Sequence, residues 1–283
     1  MTDERVTVFI PVRHFHEDYL RQAVASVFAQ SRNDWNLLLV VHPEQEASVN
    51  DLLRHALADA RVRLVAQEGK NLAGAYNTAM RRAETSFVAV LLGDDTFAPN
   101  AVEVVGESIR LHPEVDFFHC GRYVVDGDGR RLSSDHLPVK PVTAQSFRGG
   151  SPVKHLMCWR AQRGLACGGV DESLENFGSD DWDFPWTMLD HGAVFMAVHE
   201  ALYVYRDHRD GFRLTTHVPR NAQRKTMRRI LSKHGVPERE VRAIIRRARR
   251  SYLQQGLFQS ALHRWFMERF GFDARRGWRE TYR

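Results

Sequence analysis

Two stretches of the chain place clustered carboxylates close to glycines. The apolar run Phe87–Leu92 (FVAVLL) leads into Gly93-Asp94-Asp95, and Gly168-Gly169-Val170-Asp171-Glu172 is followed by Gly178-Ser179-Asp180-Asp181-Trp182-Asp183. Adjacent carboxylates repel each other and are costly to take out of water. They persist where a cation or a solvated turn balances them. Hard cations such as Mg²⁺ and Mn²⁺ bind through few carboxylates plus phosphate oxygens. Asp94 and Asp95 therefore read either as a metal–diphosphate clamp or as a plain turn that caps the next helix. Asp180, Asp181 and Asp183 stand at a predicted helix start, where the dipole favours anions. They read as caps, or as the source of one general base aimed into a cleft. A third stretch, Tyr203-Val204-Tyr205-Arg206-Asp207-His208, ends a strand-like run in a histidine. Such a residue can ligate a metal or titrate near neutrality, though an isolated histidine is more often structural. His14 and His16 follow the first strand at a spacing that matches no strong metal motif.

The elements that must carry these residues follow from the apolar periodicity. Val6–Pro11, Trp35–Val41, Val62–Ala66, Phe87–Leu92 and Val115–His119 read as strands. Between them, Glu17–Gln30, Ser48–Ala58, Leu72–Ala83 and Asn100–Leu111 read as helices, the last with Asn100 as a candidate N-cap. The strands are apolar throughout and not on alternate residues, which predicts a parallel sheet covered on both faces. Ligands of such sheets lie beyond the carboxyl ends of the strands. Tyr123–Gly150 contains the turn signal Asp126-Gly127-Asp128-Gly129 and reads as a long substrate-facing loop. Ser179–Leu189 reads as a helix, and Val194–Val198 and Leu202–Tyr205 as strands. Only helical patterns follow Pro219. Pro237 starts one helix that ends near Gly256, and a further amphipathic segment places Leu257, Phe258, Ala261, Leu262, Trp265, Phe266 and Phe270 on one side.

Composition narrows the class. The 283 residues are 43% hydrophobic and 27% charged, which excludes wholesale disorder. Cys120, Cys158 and Cys167 build neither a disulfide framework nor a CxxC knuckle, and so suggest a reducing compartment. The opening MTDERVTVFIP is not a signal peptide, and the apolar runs fall short of the ~18 residues of a membrane span. A cytoplasmic location is expected, with peripheral contact at the inner face of a membrane as a further reading. Residues 220–283 hold 18 of the 40 Lys and Arg but 5 of the 35 Asp and Glu, a net +13 against −8 for residues 1–219. Arg242, Arg246, Arg247, Arg249 and Arg250 crowd one predicted helix. This tail either meets an anionic membrane surface, with Trp265, Phe266 and Phe270 at the interface, or packs its aromatic face on the body and leaves the arginines solvated. No nucleic-acid recognition motif accompanies the charge. No GxGxxG follows a strand, which argues against a Rossmann dehydrogenase. Pro11-Val12-Arg13-His14 supplies no Gly-rich loop of the nucleotidyltransferase kind.

The acidic pair after one strand, the Asp cluster after a Gly-Gly turn and the strand-terminal histidine fall in a familiar order. The chain resembles the family 2 glycosyltransferases of the GT-A fold over about residues 5–210. The resemblance is carried by VTVFIPVRH and YLRQAVASVFAQS, with a characteristic Ser-x-x-x-Gln run at Ser26 and Gln30. NLAGAYNTAMRRAETSFVAVLLGDDTFAPNAVE, CGGVDESLENFGSDDWDFPWTML and YVYRDH complete it. It implies an α/β domain over 1–219, a Rossmann-like, mostly parallel sheet flanked by helices, followed by a basic helical extension over 220–283. It also implies inverting transfer of a sugar from a nucleotide-diphosphate donor to a hydroxyl of a glycan or lipid-linked glycan. Pro11, Val12, Arg13, His42, Asn77, Asp94, Asp95 and Gly169 would meet the donor. Asp94, Asp95 and His208 would face a divalent cation, Mn²⁺ or Mg²⁺. Asp181 would be the general base, with Asp180 orienting it or the acceptor. The chain departs from the family pattern at Leu92, where the first Asp of a DxD triplet is usual. It departs again at His42-Pro43-Glu44-Gln45, in place of an Asp-Asp-Gly-Ser-like turn, and at Tyr76, in place of Arg. These departures keep open the alternative of a catalytically silent module that docks through its basic helices.

Overall fold

Residues 6–12 are apolar at both parities apart from Thr7, and the strand they form, β1 (Val6–Val12), is buried on both faces. Thr7 is satisfied by a 2.7 Å hydrogen bond to the hydroxyl of Thr85. The computed structural model describes residues 4–138, 141–174, 178–207 and 219–258. After β1 come α1 (Glu17–Phe28), β2 (Asn36–Val41), α2 (Glu46–Leu52), β3 (Val62–Ala66), α3 (Asn71–Arg82), β4 (Phe87–Val90), β5 (Thr96–Phe97) and α4 (Ala101–Leu111). Then follow β6 (Phe117–Asp126), α5 (Ala144–Phe147), β7 (Met157–Arg160), α6 (Ala161–Ala166), α7 (Phe184–Asp190), β8 (Phe195–Asp207), α8 (Arg220–Lys233) and α9 (Glu238–Phe258).

Among the described residues, eight strands form one sheet in the order β3-β2-β1-β4-β7-β6-β8-β5. β3, β2, β1 and β4 are parallel, as are β6 and β8. β7 runs antiparallel to both β4 and β6, and β5 antiparallel to β8. The sheet is thus mostly parallel. Apolar runs report burial on both faces but carry no sign of direction, so the two reversed strands leave no mark in the periodicity.

Trp159 of β7 anchors the aromatic part of the core. Its ring lies within 6.0 Å of Phe9, Tyr76, Phe117 and Phe184. These five side chains come from β1, α3, β6, β7 and α7, and each is fully or almost fully buried. At about 25 cal/mol per Å² of apolar area they are a main source of the cohesion between sheet and helices.

Several boundaries differ from expectation. The helix read over Ser48–Ala58 is α2 followed by a short 3₁₀ turn at Ala56–Ala58. Asn100 precedes α4 but makes no side-chain cap; its amide donates to Glu200 at 3.3 Å. β6 runs through the start of the segment read as loop, and Arg131 and His136 bridge back to Val125 and Arg122. The two strands read over Val194–Tyr205 are one, β8. Strand β7 and helix α6 were not anticipated.

The chain divides into two units, Met1–Thr226 and Met227–Arg283, a division that falls inside α8 and not ahead of it. In the second unit Met227, Ile230, Leu231, Val236 and Val241 are buried, and Arg228 pairs with Glu238. α9 continues past Gly256. The apolar residues from Ala261 to Phe270 lie outside the described residues. No described helix is long and apolar enough to cross a membrane.

Candidate active site

The loop after β4 is tied down from three directions. Ser26 and Gln30 of the first helical segment fix its far side. The Ser26 hydroxyl accepts from Phe97 N–H at 3.1 Å, and the Gln30 amide donates to Ala98 O at 2.8 Å while accepting from Val102 N–H at 2.8 Å. The Ser-x-x-x-Gln run therefore clamps α1 to β5 and the start of α4. Inside the loop, Asp95 is 1% exposed. Its two oxygens accept from the Tyr203 hydroxyl and the Arg206 backbone N–H, both at 2.7 Å. Burial, then the neighbouring Asp94, pushes the Asp95 carboxyl well above the usual carboxylate range, against these two bonds. Arg206 completes the latch. Its guanidinium donates to Asp94 O (2.8 Å), Gly127 O (3.0 Å) and Gln22 Oε1 (2.7 Å), and lies 4.4 Å from the Tyr19 ring centre. Asp94 itself stays partly exposed.

The second acidic group sits in a turn of its own. Ser179–Asp183 form a π-type turn, closed by Asp183 N–H donating to Gly178 O at 2.8 Å, ahead of α7. Pro185 falls in the first turn of α7, where its missing N–H costs nothing. π-type turns recur at functional sites because they set consecutive side chains outside the α-helical pattern. Here Asp180 and Asp181 are held side by side and only partly exposed. Burial raises both carboxyls. Asp181 raises Asp180 further, whereas Lys154 and then Arg122 oppose the rise at Asp181. The Tyr76 hydroxyl donates to Asp180 at 3.3 Å, which gives the aromatic residue in the place of the family's Arg a contact inside the site. Ser151 donates its hydroxyl to Asp181 O, and Trp182 Nε1–H to Phe147 O at 2.8 Å.

The Gly-Gly turn is held by Asn77. Its Nδ2 donates to Val170 O (2.9 Å) and Glu172 (3.0 Å), and its Oδ1 accepts from Val170 N–H (2.8 Å). Gly169 has φ +72°, and a Cβ there would lie 2.5 Å from Asn77 Oδ1. Asn77 and Gly169, read as donor contacts, are thus engaged with each other in holding this turn. Glu172 links the turn to the start of α3 by accepting from Lys70 N–H at 2.8 Å. At the ends of β1 and β2, Val12 is buried, Pro11 half-buried and Arg13 exposed. His42 N–H donates to Val12 O at 2.8 Å, so Arg13 and His42 stand at adjacent strand ends.

The two acidic groups lie on one continuous path. Asp95 bonds to Tyr203, whose ring packs 5.3 Å from that of His155. Lys154, next along, donates to Ser151 O at 3.4 Å, and Ser151 donates to Asp181 O. Arg122 of β6 acts electrostatically on both Asp95 and Asp181. Arg122 and Lys154 carry no local motif and were not singled out in the sequence; Arg206 lies inside the YVYRDH run, where only its neighbour His208 was given a role. His208 lies outside the described residues.

The donor set suits only one kind of cation site. The described residues contain no cluster of three or more His, Cys, Asp or Glu side chains able to enclose a metal ion. Asp95 is occupied by its two donors, and Leu92 offers no ligand. Asp94 brings one carboxylate to the partly exposed face of this loop, which fits a Mg²⁺-like ion held by one carboxylate and by substrate phosphates, not by a protein cage.

A mostly parallel sheet with one acidic turn beyond β4 and a second ahead of α7 defines the class: this is the GT-A fold of glycosyltransferases. The model of glycosyl transferase family 2 matches residues 7–165, and the chain belongs to that family. It is 25% identical over 204 residues to the O-antigen biosynthesis protein RfbC of Myxococcus xanthus, covering 71% of this chain and 16% of that one. It is 29% identical over 141 residues to the UDP-Glc:alpha-D-GlcNAc-diphosphoundecaprenol beta-1,3-glucosyltransferase WfgD of Escherichia coli, covering 50% and 54% respectively. The chain thus spans less than two thirds of the length of these curated relatives. Its fold is similar to residues 1–349 of S. aureus TarS in complex with UDP-GlcNAc, with a TM-score of 0.61 at 17% identity over 85% of this chain and 70% of that one. It is also similar to the mannosyltransferase PcManGT of Pyrobaculum calidifontis in complex with GDP-Man and Mn²⁺, with a TM-score of 0.57 at 15% identity over 87% and 70%.

Proposed function

We propose that the chain is an inverting glycosyltransferase that moves a sugar from a nucleotide-diphosphate donor to a hydroxyl of a glycan or lipid-linked glycan. The observation that carries this reading is that the Asp94–Asp95 loop and the Asp180–Asp181 turn are joined through Tyr203, His155, Lys154 and Ser151, with Arg122 acting on both.

Asp181 acts as general base. It takes the proton of the acceptor hydroxyl while that oxygen bonds to the anomeric carbon of the sugar. The bond from that carbon to the diphosphate oxygen breaks, and its electron pair departs with the nucleoside diphosphate. A single displacement without an enzyme nucleophile inverts the carbon. Burial makes Asp181 basic enough to accept a proton, and Lys154 and Arg122 keep it ionised often enough to act. Asp180, held by Tyr76, orients the acceptor or the base. Asp94 would hold a divalent cation, Mg²⁺ or Mn²⁺, which when bound offsets the charge of the leaving diphosphate. Asp95 is a positioning residue that fixes the loop carrying Asp94. Asn77 and Gly169 position the Gly-Gly turn, and Pro11, Val12, Arg13 and His42 form the nucleoside end of the donor site. The donors bound in the TarS and PcManGT complexes and the acceptor in WfgD's name support these substrate classes. The basic helices α8 and α9 support contact with an anionic membrane surface on the cytoplasmic side.

A thermal-shift comparison of UDP, GDP, CDP and TDP with Mn²⁺ identifies the donor nucleotide. Asp181→Asn is then expected to lower transfer from the matching sugar nucleotide by about 10²–10⁴-fold, with nucleotide binding and circular dichroism unchanged. Full turnover in that variant refutes the base assignment. Absence of stabilisation by every nucleotide favours a non-catalytic module.

A further inference from the structure

Two cations beside the acidic turns, Arg122 and Lys154, keep spare hydrogen-bonding capacity among the described residues. Arg122 stands where β6 and β8 shift register on both sides of Gly121. Bulges of this kind re-aim a side chain next to a site. The shift needs glycine, because a Cβ at Gly121 would lie 2.9 Å from both Glu200 O and His136 O. The Arg122 guanidinium lies 4.6 Å from the Tyr205 ring centre, and its Nε is buried without a hydrogen-bond partner. Among the described residues, Lys154 Nζ has one hydrogen bond, the 3.4 Å contact with Ser151 O. Both side chains are partly buried, and among the described residues neither forms an ion pair. Burial, and then the positive field of Arg122 and Lys154, drives His136 and His155 towards their neutral forms. Asp181 favours the charged form of Lys154, and Arg122 opposes the rise of the Asp95 and Asp181 carboxyls, so these carboxylates offset part of the positive charge without a hydrogen bond to either cation. Two like charges held close in a partly desolvated crevice are costly unless an anion joins them. Arg and Lys together favour phosphate oxygens, one by a planar fork and one as a point charge.

We propose that Arg122 and Lys154 form a phosphate clamp on the β6–β7 side of the crevice that holds the diphosphate of the donor. The inference rests on the transferase reading above and deepens it. With Leu92 in the loop after β4, the chain offers a cation few carboxylates, and the clamp supplies fixed positive charge at the departing group instead. No bond is made to either residue; both donate hydrogen bonds to phosphate oxygens and keep their protons. The same chemistry could come from a phosphate on the acceptor, so the test separates the two.

The full chain is titrated with UDP, GDP, CDP and TDP, and with the matching phosphate-free nucleosides, in Mn²⁺ and in EDTA. Lys154→Met and Arg122→Met are each expected to raise the Kd of the nucleoside diphosphate that binds wild type by about 10-fold or more. The nucleoside should bind unchanged, and Lys154→Arg should recover most of the loss. The effect should be larger in EDTA. Circular dichroism checks folding; should a methionine variant not fold, Lys154→Gln and Arg122→Lys decide in its place. Unchanged diphosphate affinity in the folded variants overturns the clamp. A rise confined to the KM of a phosphate-bearing acceptor overturns the donor assignment and gives the pair to the acceptor. If wild type binds no nucleotide at all, the transferase reading falls first and the clamp with it, an outcome distinct from the other two.

Discussion

Asp180 and Asp181 share a turn that keeps both from bulk water, and the folded chain holds their protons more tightly than the unfolded chain does. For an acid whose folded pKa lies above the unfolded value near 4, stability is complete below that value and is lost as pH rises through the folded pKa. Asp180→Asn removes this loss and keeps an oxygen for Tyr76. It is expected to stabilise the protein by on the order of 1 kcal/mol at pH 8, with the gain shrinking towards pH 4, as read by urea midpoints across that range. A gain independent of pH would exclude the buried-charge account. Lys154→Met should act on the same pair from outside. Loss of the positive charge raises the Asp181 carboxyl further, so the acid limb of the kcat/KM profile moves to higher pH. An unmoved limb would show that Lys154 does not act on the base. The paired carboxylates were plain in the sequence because they are adjacent. Their partners were not, since Tyr76, Arg122 and Lys154 reach the pair from three other elements. For the same reason nothing in the sequence distinguished the buried, doubly bonded Asp95 from its partly exposed neighbour Asp94.

The longer elements up to Leu111 were legible because their strands are unbroken apolar runs and their helices show apolar stripes ended by polar residues, whereas the two-residue β5 and the break after α2 leave no such mark. Legibility fails from β6 onward, where pairing partners are distant. Tyr123-Val124-Val125 extends β6 only because β8 lies alongside it, and β7 is a four-residue run whose place is set by the partners on either side. The register shift at Gly121 is likewise invisible without β8 and the His136 backbone. It yields a direct test. Gly121→Ala brings a methyl group within 2.9 Å of two backbone carbonyls that cannot rotate away. Overpacking of this kind costs about 1–3 kcal/mol. A fall in the urea midpoint of that size is expected, together with weaker nucleoside-diphosphate binding as Arg122 is displaced. Gly149→Ala, where a Cβ meets nothing within 4 Å and φ is not positive, should be near neutral and serves as the control. Equal effects at the two positions would remove the packing argument for the bulge.

Over the whole chain, charge is divided more sharply than its net +5 suggests. Residues 1–219 carry −8 and residues 220–283 carry +13. Arg224, Lys225, Arg228, Arg229 and Lys233 of α8 are exposed, as are Arg242, Arg246 and Arg247 of α9. A basic residue near an anionic leaflet gains about 1 kcal/mol, and the attraction fades within a Debye length of about 10 Å at 0.1 M salt. Several such residues would hold the protein at a membrane surface, whereas the acidic residues of the larger unit would be repelled by it. The full chain is therefore expected to co-sediment with phosphatidylglycerol-containing vesicles but not with pure phosphatidylcholine vesicles, and to be released as salt rises towards about 1 M, where the Debye length is about 3 Å. Replacing Arg242, Arg246 and Arg247 together by glutamate should weaken that binding by at least about 10-fold, since three favourable charges become three unfavourable ones. Equal binding to both vesicle types would point to apolar insertion in place of charge. Failure to bind either type at low salt would leave the arginines solvated and place the acceptor away from the membrane, so that a soluble glycan acceptor would then be the one to test.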